Sequence, residues 1–112
     1  GERPRMQMYI GTNPAPDVDG SFNNTTITHE YGHGISIRLT GGPTNVGCLS
    51  TSSYPEQMGE GWSDFFALML TARATDTPEQ PRAYGAWFYN DPDGIRPAPY
   101  STSFAVNNFT YQ

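Results

Sequence analysis

The sequence predicts an α+β chain. A first helix packs on a second, buried helix, each carries candidate metal-ligating side chains, and short strands flank the pair. Three observations lead there. Residues 25–40 and 53–75 each read as a helix opened by a capping residue. A Gly-rich loop separates them, and short or hairpin-like strands are read outside the pair.

The elements follow in order. Met6 to Ile10 alternates weakly and carries Tyr9 and Ile10, the mark of a short strand. Gly11 to Asn24 is rich in Gly, Pro, Asn and Asp and reads as a loop. Asp17 and Asp19 within it lack the regularly spaced oxygen ligands of a calcium loop, so a solvated turn is expected. Asn23 or Asn24 caps the first helix, whose body runs from Thr25 to Thr40. Ile27, Tyr31, Ile35 and Leu39 recur every fourth residue and are expected to face the core. Gly41-Gly42-Pro43 stops the helix, because glycine accepts a positive-φ cap and proline cannot continue.

After a loop to Ser53, Ser53-Tyr54-Pro55-Glu56 has the form of a capping box. Trp62, Phe65, Phe66, Leu68, Met69 and Leu70 make the second helix apolar on most sides, which predicts burial. Asp76-Thr77-Pro78 is its expected end. Arg82 to Tyr89 is aromatic-rich, and Asn90-Asp91-Pro92-Asp93-Gly94 is a turn signal with hairpin-like strands on either side. The tail from Ala98 to Gln112 is irregular. Asn23, Asn24 and Asn108 open glycosylation sequons, of which at most Asn108 is expected to be used, since the other two lie at the mouth of the first helix.

Composition narrows the function classes. A chain of 112 residues is one domain at most, and a single partial domain over residues 1–112 is expected. Its net charge is −5 with 15% charged residues, against about a quarter in an average domain. Such a chain offers no electrostatic footprint to nucleic acid or to an anionic membrane. It opens Gly-Glu-Arg, with no initiator Met, apolar leader or membrane-spanning run, and is expected to be a processed piece or a fragment. Cys48 is the single cysteine and has no internal disulfide partner.

The chemistry concentrates in His29-Glu30-Tyr31-Gly32-His33, an H-E-x-x-H pentapeptide that holds both histidines of the chain. Side chains four apart on a helix lie on one face, so both imidazoles can reach one zinc ion. Glu30 falls on the flank, within reach of a water held there. A third ligand is needed, and no histidine remains; a downstream H-x-x-G-x-x-H extension is also absent, because Ser36 and Leu39 stand at its positions. A carboxylate or Cys48 must complete the set. Glu60 and Asp64 stack four apart on the second helix, so one can bind metal while the other accepts the free ring N–H of a ligating histidine. Glu56 competes for the ligand position by the same spacing; Glu60 is preferred, with Asp64 one turn further on as its partner carboxylate. Gly59 and Gly61 beside it are expected to let the helices approach closely.

The run from His29 to Pro43, followed by Met58-Gly59-Glu60-Gly61-Trp62-Ser63-Asp64-Phe65, resembles the active-site region of the fungalysins, secreted zinc endopeptidases with a thermolysin-like, gluzincin catalytic domain. Arg3-Pro4-Arg5-Met6-Gln7-Met8-Tyr9 and Gly94-Ile95-Arg96-Pro97-Ala98-Pro99-Tyr100-Ser101-Thr102 are similar to flanking stretches of that family. The resemblance implies a zincin-type active-site helix packed on the buried, ligand-bearing one, within a fragment of a larger catalytic domain. It implies one Zn²⁺ per chain held by His29, His33 and Glu60, with Glu30 as general base and Asp64 orienting His29. It further implies protein or peptide substrates, extracellular localisation and room for a propeptide inhibitor in the parent, with the oxyanion-stabilising residues and substrate-binding strand largely outside this segment. Gly32 and Ile37 depart from the family's usual Thr and Asn. Two other readings compete: a zinc-binding but catalytically incomplete fragment, and a metal-free interaction module using its aromatic tail.

Overall fold

A computed structural model of the chain describes residues 5–12, 15–49 and 57–110. Its elements are β1 (Ile10–Gly11), β2 (Val18–Asp19), a 3₁₀ turn (Gly20–Phe22), α1 (Asn24–Gly41), α2 (Gln57–Leu70) and α3 (Ala86–Tyr89). β1 and β2 form a two-stranded antiparallel sheet with Ile10 opposite Asp19 and Gly11 opposite Val18. The mixed α and β content agrees with the sequence, but the strand expected over residues 6–10 is confined to its last residue and Gly11. Asp19 accepts from the Ser21 N–H at 2.9 Å and so opens the 3₁₀ turn. That turn feeds directly into α1.

α1 is capped by Asn23, whose Oδ1 accepts from the N–H groups of Thr25 at 3.0 Å and Thr26 at 3.3 Å. That side chain is buried and fully engaged, whereas Asn108 is exposed. At the other end Gly42 takes φ 69° and returns its N–H to Arg38 O. The capping box expected at residues 53–56, and with it Glu56, lies outside the described residues.

α2 stops at Leu70, not at Thr75. Thr71 turns its hydroxyl back to Ala67 O at 2.7 Å. The Arg82 guanidinium donates to Leu68 O at 3.2 Å and to Thr71 Oγ1 at 3.0 Å, so a cation satisfies the terminal carbonyls. The hairpin expected around residues 90–94 is replaced by α3 and a tight turn. Arg82 and Tyr100 pair instead, as an isolated antiparallel bridge.

α1 and α2 pack against each other, and their seam inverts the expected core. The buried residues of α1 are His29, Gly32 and Ser36, while Tyr31 and Leu39 are 63% and 82% exposed. On α2 the buried positions are Gly59, Ser63, Asp64 and Ala67, and Trp62, Phe65, Phe66, Met69 and Leu70 all point outward. The second helix is therefore buried on one face only. Periodicity misled here because the seam is made of small and polar side chains, and no described layer covers the apolar ones.

Close approach also rests on a different glycine. A Cβ on Gly61 would meet nothing, and one on Gly59 would make ordinary contact with Leu49. At Gly32 it would lie 3.0 Å from both Cα and Oγ of Ser63, which is fully buried. Gly32 is the contact that lets the helices touch. Gly34, by contrast, faces open space. Gly32→Leu should therefore overpack the seam and cost about 1–3 kcal/mol, whereas Gly34→Ala should gain up to about 1 kcal/mol from helix propensity. Denaturant unfolding of the two variants checks this; similar shifts would reject Gly32 as the contact point.

Candidate metal centre

The helix seam brings three donor groups to one point. His29 Nε2 and His33 Nε2 lie 2.9 Å apart. Glu60 closes the triangle, with Oε2 3.2 Å from His29 Nε2 and Oε1 3.3 Å from His33 Nε2. The set His29, His33 and Glu60 is a group whose donor atoms all fall within 4.8 Å. Zinc bound tetrahedrally at about 2.0–2.2 Å from N and O donors separates those donors by about 3.3–3.6 Å. The three edges come within a few tenths of an ångström of that, and the N, N, O chemistry suits zinc, so the residues fit the ion.

His29 and Glu60 are held from behind. His29 is 3% exposed, and its ring stacks on Tyr84 with centroids 4.7 Å apart and planes 27° apart. Its Nδ1 lies 2.7 Å from Asp64 Oδ1, a close polar contact in which the ring N–H is not aligned on the oxygen. Tyr84 is itself covered by Arg96, whose guanidinium carbon sits 5.1 Å from the ring centroid. Burial, then the charges of Asp64 and Glu30, push the Tyr84 phenol well above its ordinary range, so it stays neutral.

Asp64 is the centre of this supporting shell. It is 1% exposed and receives Arg96 as a fork, Nε to Oδ2 at 2.6 Å and Nη2 to Oδ1 at 2.9 Å. The same Nη2 donates to Glu60 Oε2 at 2.9 Å, and the Tyr100 hydroxyl donates to Asp64 Oδ2 at 2.6 Å. Burial alone would raise the Asp64 pKa; the contacts from His29, Arg96 and Tyr100 outweigh it and hold it at about 2. Asp64 and Glu60 in turn keep Arg96 firmly charged.

Glu30 stands apart from that shell. It is exposed and lines a cleft of about 620 Å³ with Tyr31, Gly34, Ile35, Arg38 and Leu39 on one side and Arg5, Met6 and Gln7 on the other. The apolar stripe expected in the core forms one wall of this cleft. Cys48 is away from the cluster, its thiol directed at Ile37 O and packed on Gly41.

Sequence reasoning missed Tyr84, Arg96 and Tyr100 as site residues. One signal was available for Arg96. A buried carboxylate needs a cation, and the chain has only six arginines and no lysine to supply it. Nothing in the pattern marked the two tyrosines.

A His, His, carboxylate cluster on two packed helices is a donor set that can hold a divalent metal. The comparisons with known proteins give the family. The model of the fungalysin metallopeptidases (M36) matches residues 1–112. Extracellular metalloproteinase MEP of Fusarium vanettenii is 48% identical over 112 residues, covering 100% of this chain and 17% of that protein. MEP of Leptosphaeria maculans is 48% identical over 111 residues, with coverages of 99% and 17%. Extracellular metalloproteinase 10 of Coccidioides posadasii is 46% identical over 111 residues, with coverages of 99% and 18%. The chain belongs to the fungalysin metallopeptidase family, and its localisation is extracellular. It spans about one-sixth of the length of these relatives.

The Asp64 pKa carries a testable sign. A carboxyl depressed in the fold stabilises above its unfolded pKa and loses that contribution as pH falls through the folded value. With 3.8 unfolded and about 2 folded, metal-free protein should lose on the order of 2 kcal/mol from this group between about pH 5 and pH 2. Asp64→Asn should be less stable at pH 7 and lose less on acidification. Equal acid sensitivity in both, by denaturant titration at each pH, would contradict it.

Proposed function

We propose that the chain carries the zinc centre and general base of a secreted endopeptidase, within a single partial catalytic domain over residues 1–112. The convergence of His29, His33 and Glu60 at metal-ligand spacing, beside an exposed Glu30 in a cleft, carries this reading. His29, His33 and Glu60 would hold one zinc ion. Zinc in such a site polarises the scissile carbonyl and lowers the pKa of a water to near ~7.

The chain's own residues supply the rest. Glu30 takes the proton from the attacking water and delivers it to the leaving amine. Asp64 and Tyr84 hold the His29 ring in place, and Arg96 neutralises Asp64 while steadying Glu60. The cleft beside Glu30 receives a stretch of protein or peptide substrate. The helix pair is read as the zincin arrangement of a thermolysin-like domain, with a propeptide as a further partner of the parent. A second reading, a zinc-binding but catalytically incomplete segment, is favoured by the small share of the relatives' length that the chain spans. Hydrolysis of an internally quenched peptide by the isolated chain separates the two.

Two substitutions test the assignment. Glu60→Ala should abolish stoichiometric zinc while Glu56→Ala leaves it, as read by metal analysis of purified protein; the reverse pattern would reassign the ligand. Glu30→Gln keeps shape but cannot accept a proton. In the complete parent enzyme it should keep its zinc and lose turnover by a factor on the order of 10² to 10⁴. Near wild-type turnover would exclude Glu30 as the base.

A further inference from the structure

We propose that Tyr100 is a positioning residue for the metal centre: its hydroxyl pins one oxygen of Asp64 so that the other stays on His29. The inference rests on the zinc reading above.

Three features of the structure support it. First, Asp64 divides its oxygens. Oδ2 takes Tyr100 Oη and Arg96 Nε, both at 2.6 Å, and Oδ1 takes Arg96 Nη2 at 2.9 Å and lies 2.7 Å from His29 Nδ1. The terminal torsion of an aspartate is broad and roughly two-fold. Arg96 alone leaves the carboxylate free to rock with the guanidinium plane, since both move together as a fork. A second donor, anchored through its own backbone pairing with Arg82, removes that freedom.

Second, Tyr100 is registered on the helix that carries Asp64 by contacts outside the site. Its backbone exchanges two hydrogen bonds with Arg82, each 2.9 Å. Arg82 in turn grips the end of α2 through Leu68 O and Thr71 Oγ1, and is itself braced by Asp76 Oδ2 at 3.1 Å. The phenol therefore reaches Asp64 from a fixed frame.

Third, the donor is neutral and dependable. Burial, then the bond to Asp64, keep the Tyr100 phenol protonated well beyond its usual range. It orients the carboxylate without adding a positive charge that would oppose a bound cation. Groups behind a ligating histidine typically tune metal affinity by about 10- to 100-fold.

The test is a double-mutant cycle in the full parent protein, reading zinc affinity by competition with a chelator. Tyr100→Phe keeps the ring and loses the donor, and should weaken zinc by about 10-fold with an unchanged circular dichroism spectrum. Asp64→Ala should weaken it by about 10- to 100-fold, and adding Tyr100→Phe to it should change affinity by less than about twofold. Replacing Tyr100 with 4-aminophenylalanine restores a donor and should recover most of the loss. If Tyr100→Phe misfolds, 4-fluorophenylalanine gives the donorless comparison. Unchanged affinity in the donorless variant overturns the proposal, and so does an equal loss in both Asp64 backgrounds, the signature of a merely structural role. A wild-type protein that takes up no zinc sinks the zinc reading and this inference with it.

Discussion

The structure is organised around one buried negative charge. Asp64 and Ser63 are the largest fully buried side chains among the described residues, so the seam between α1 and α2 is polar where a core of this size would ordinarily be apolar. Taking a carboxylate out of water costs several kcal/mol unless it is paired with good geometry. Arg96 and Tyr100 provide that geometry from one stretch of chain, and His29 lies against the carboxylate from another. Removing Arg96 would leave the other two around an uncompensated charge. Much of the irregular second half is explained by the need to deliver those partners. Gly94 adopts φ 74°, and a Cβ there would run into the Tyr84 carbonyl, so the chain can turn and return Ile95 N–H to Tyr84 O only with glycine. That turn places Tyr84 on one side of His29 and Arg96 behind Tyr84.

The same constraint accounts for the composition of the seam. A ligand-bearing face needs its helices close enough for side chains of moderate length to meet, and bulky apolar residues would hold them apart. Gly32 against Ser63 sets that approach. The large apolar residues are displaced to the outer faces, where Trp62, Phe65, Phe66, Met69 and Leu70 remain exposed among the described residues. Helix propensity is given up at Gly32, by up to about 1 kcal/mol relative to Ala. Proximity of the donor atoms is gained in its place.

What could be read in the sequence was whatever local geometry determines. The caps of α1 at Asn23 and Gly42, the stacking of His29 on His33 and the stacking of Glu60 on Asp64 follow from helical repeat and capping chemistry over a few residues. The buried face could not be read that way. Ile27, Tyr31, Ile35 and Leu39 form a consistent stripe, and three of the four are exposed along a cleft. A hydrophobic period indicates a face, and burial of that face depends on what other chain segments bring to it. Arg96 and Tyr100 were hidden for a related reason. They reach Asp64 across 32 and 36 residues of mostly irregular chain, and no periodicity connects them. The end of α2 was misplaced because Arg82, also distant in sequence, satisfies its last carbonyls before the expected breaker is reached.

On the proposed reading, the adjacency of His29 and Glu30 gives α1 its division of labour. Successive residues on a helix point about 100° apart, so a ligand facing the seam places its neighbour on the flank. His29 is 3% exposed and stacked under Tyr84, and Glu30 lies open to the cleft. The requirements of the two positions are opposite. A metal-ligating imidazole needs a fixed ring plane and shelter from water, whereas a proton-transferring carboxylate must reach solvent and substrate. A single helical step satisfies both without any loop to position either group. His33 returns to the seam one turn later, and Tyr31, Ile35 and Leu39 continue along the Glu30 side as a cleft wall. The pentapeptide is thus a statement about two faces of one helix, and the apolar stripe that failed as a core prediction belongs to the second of them.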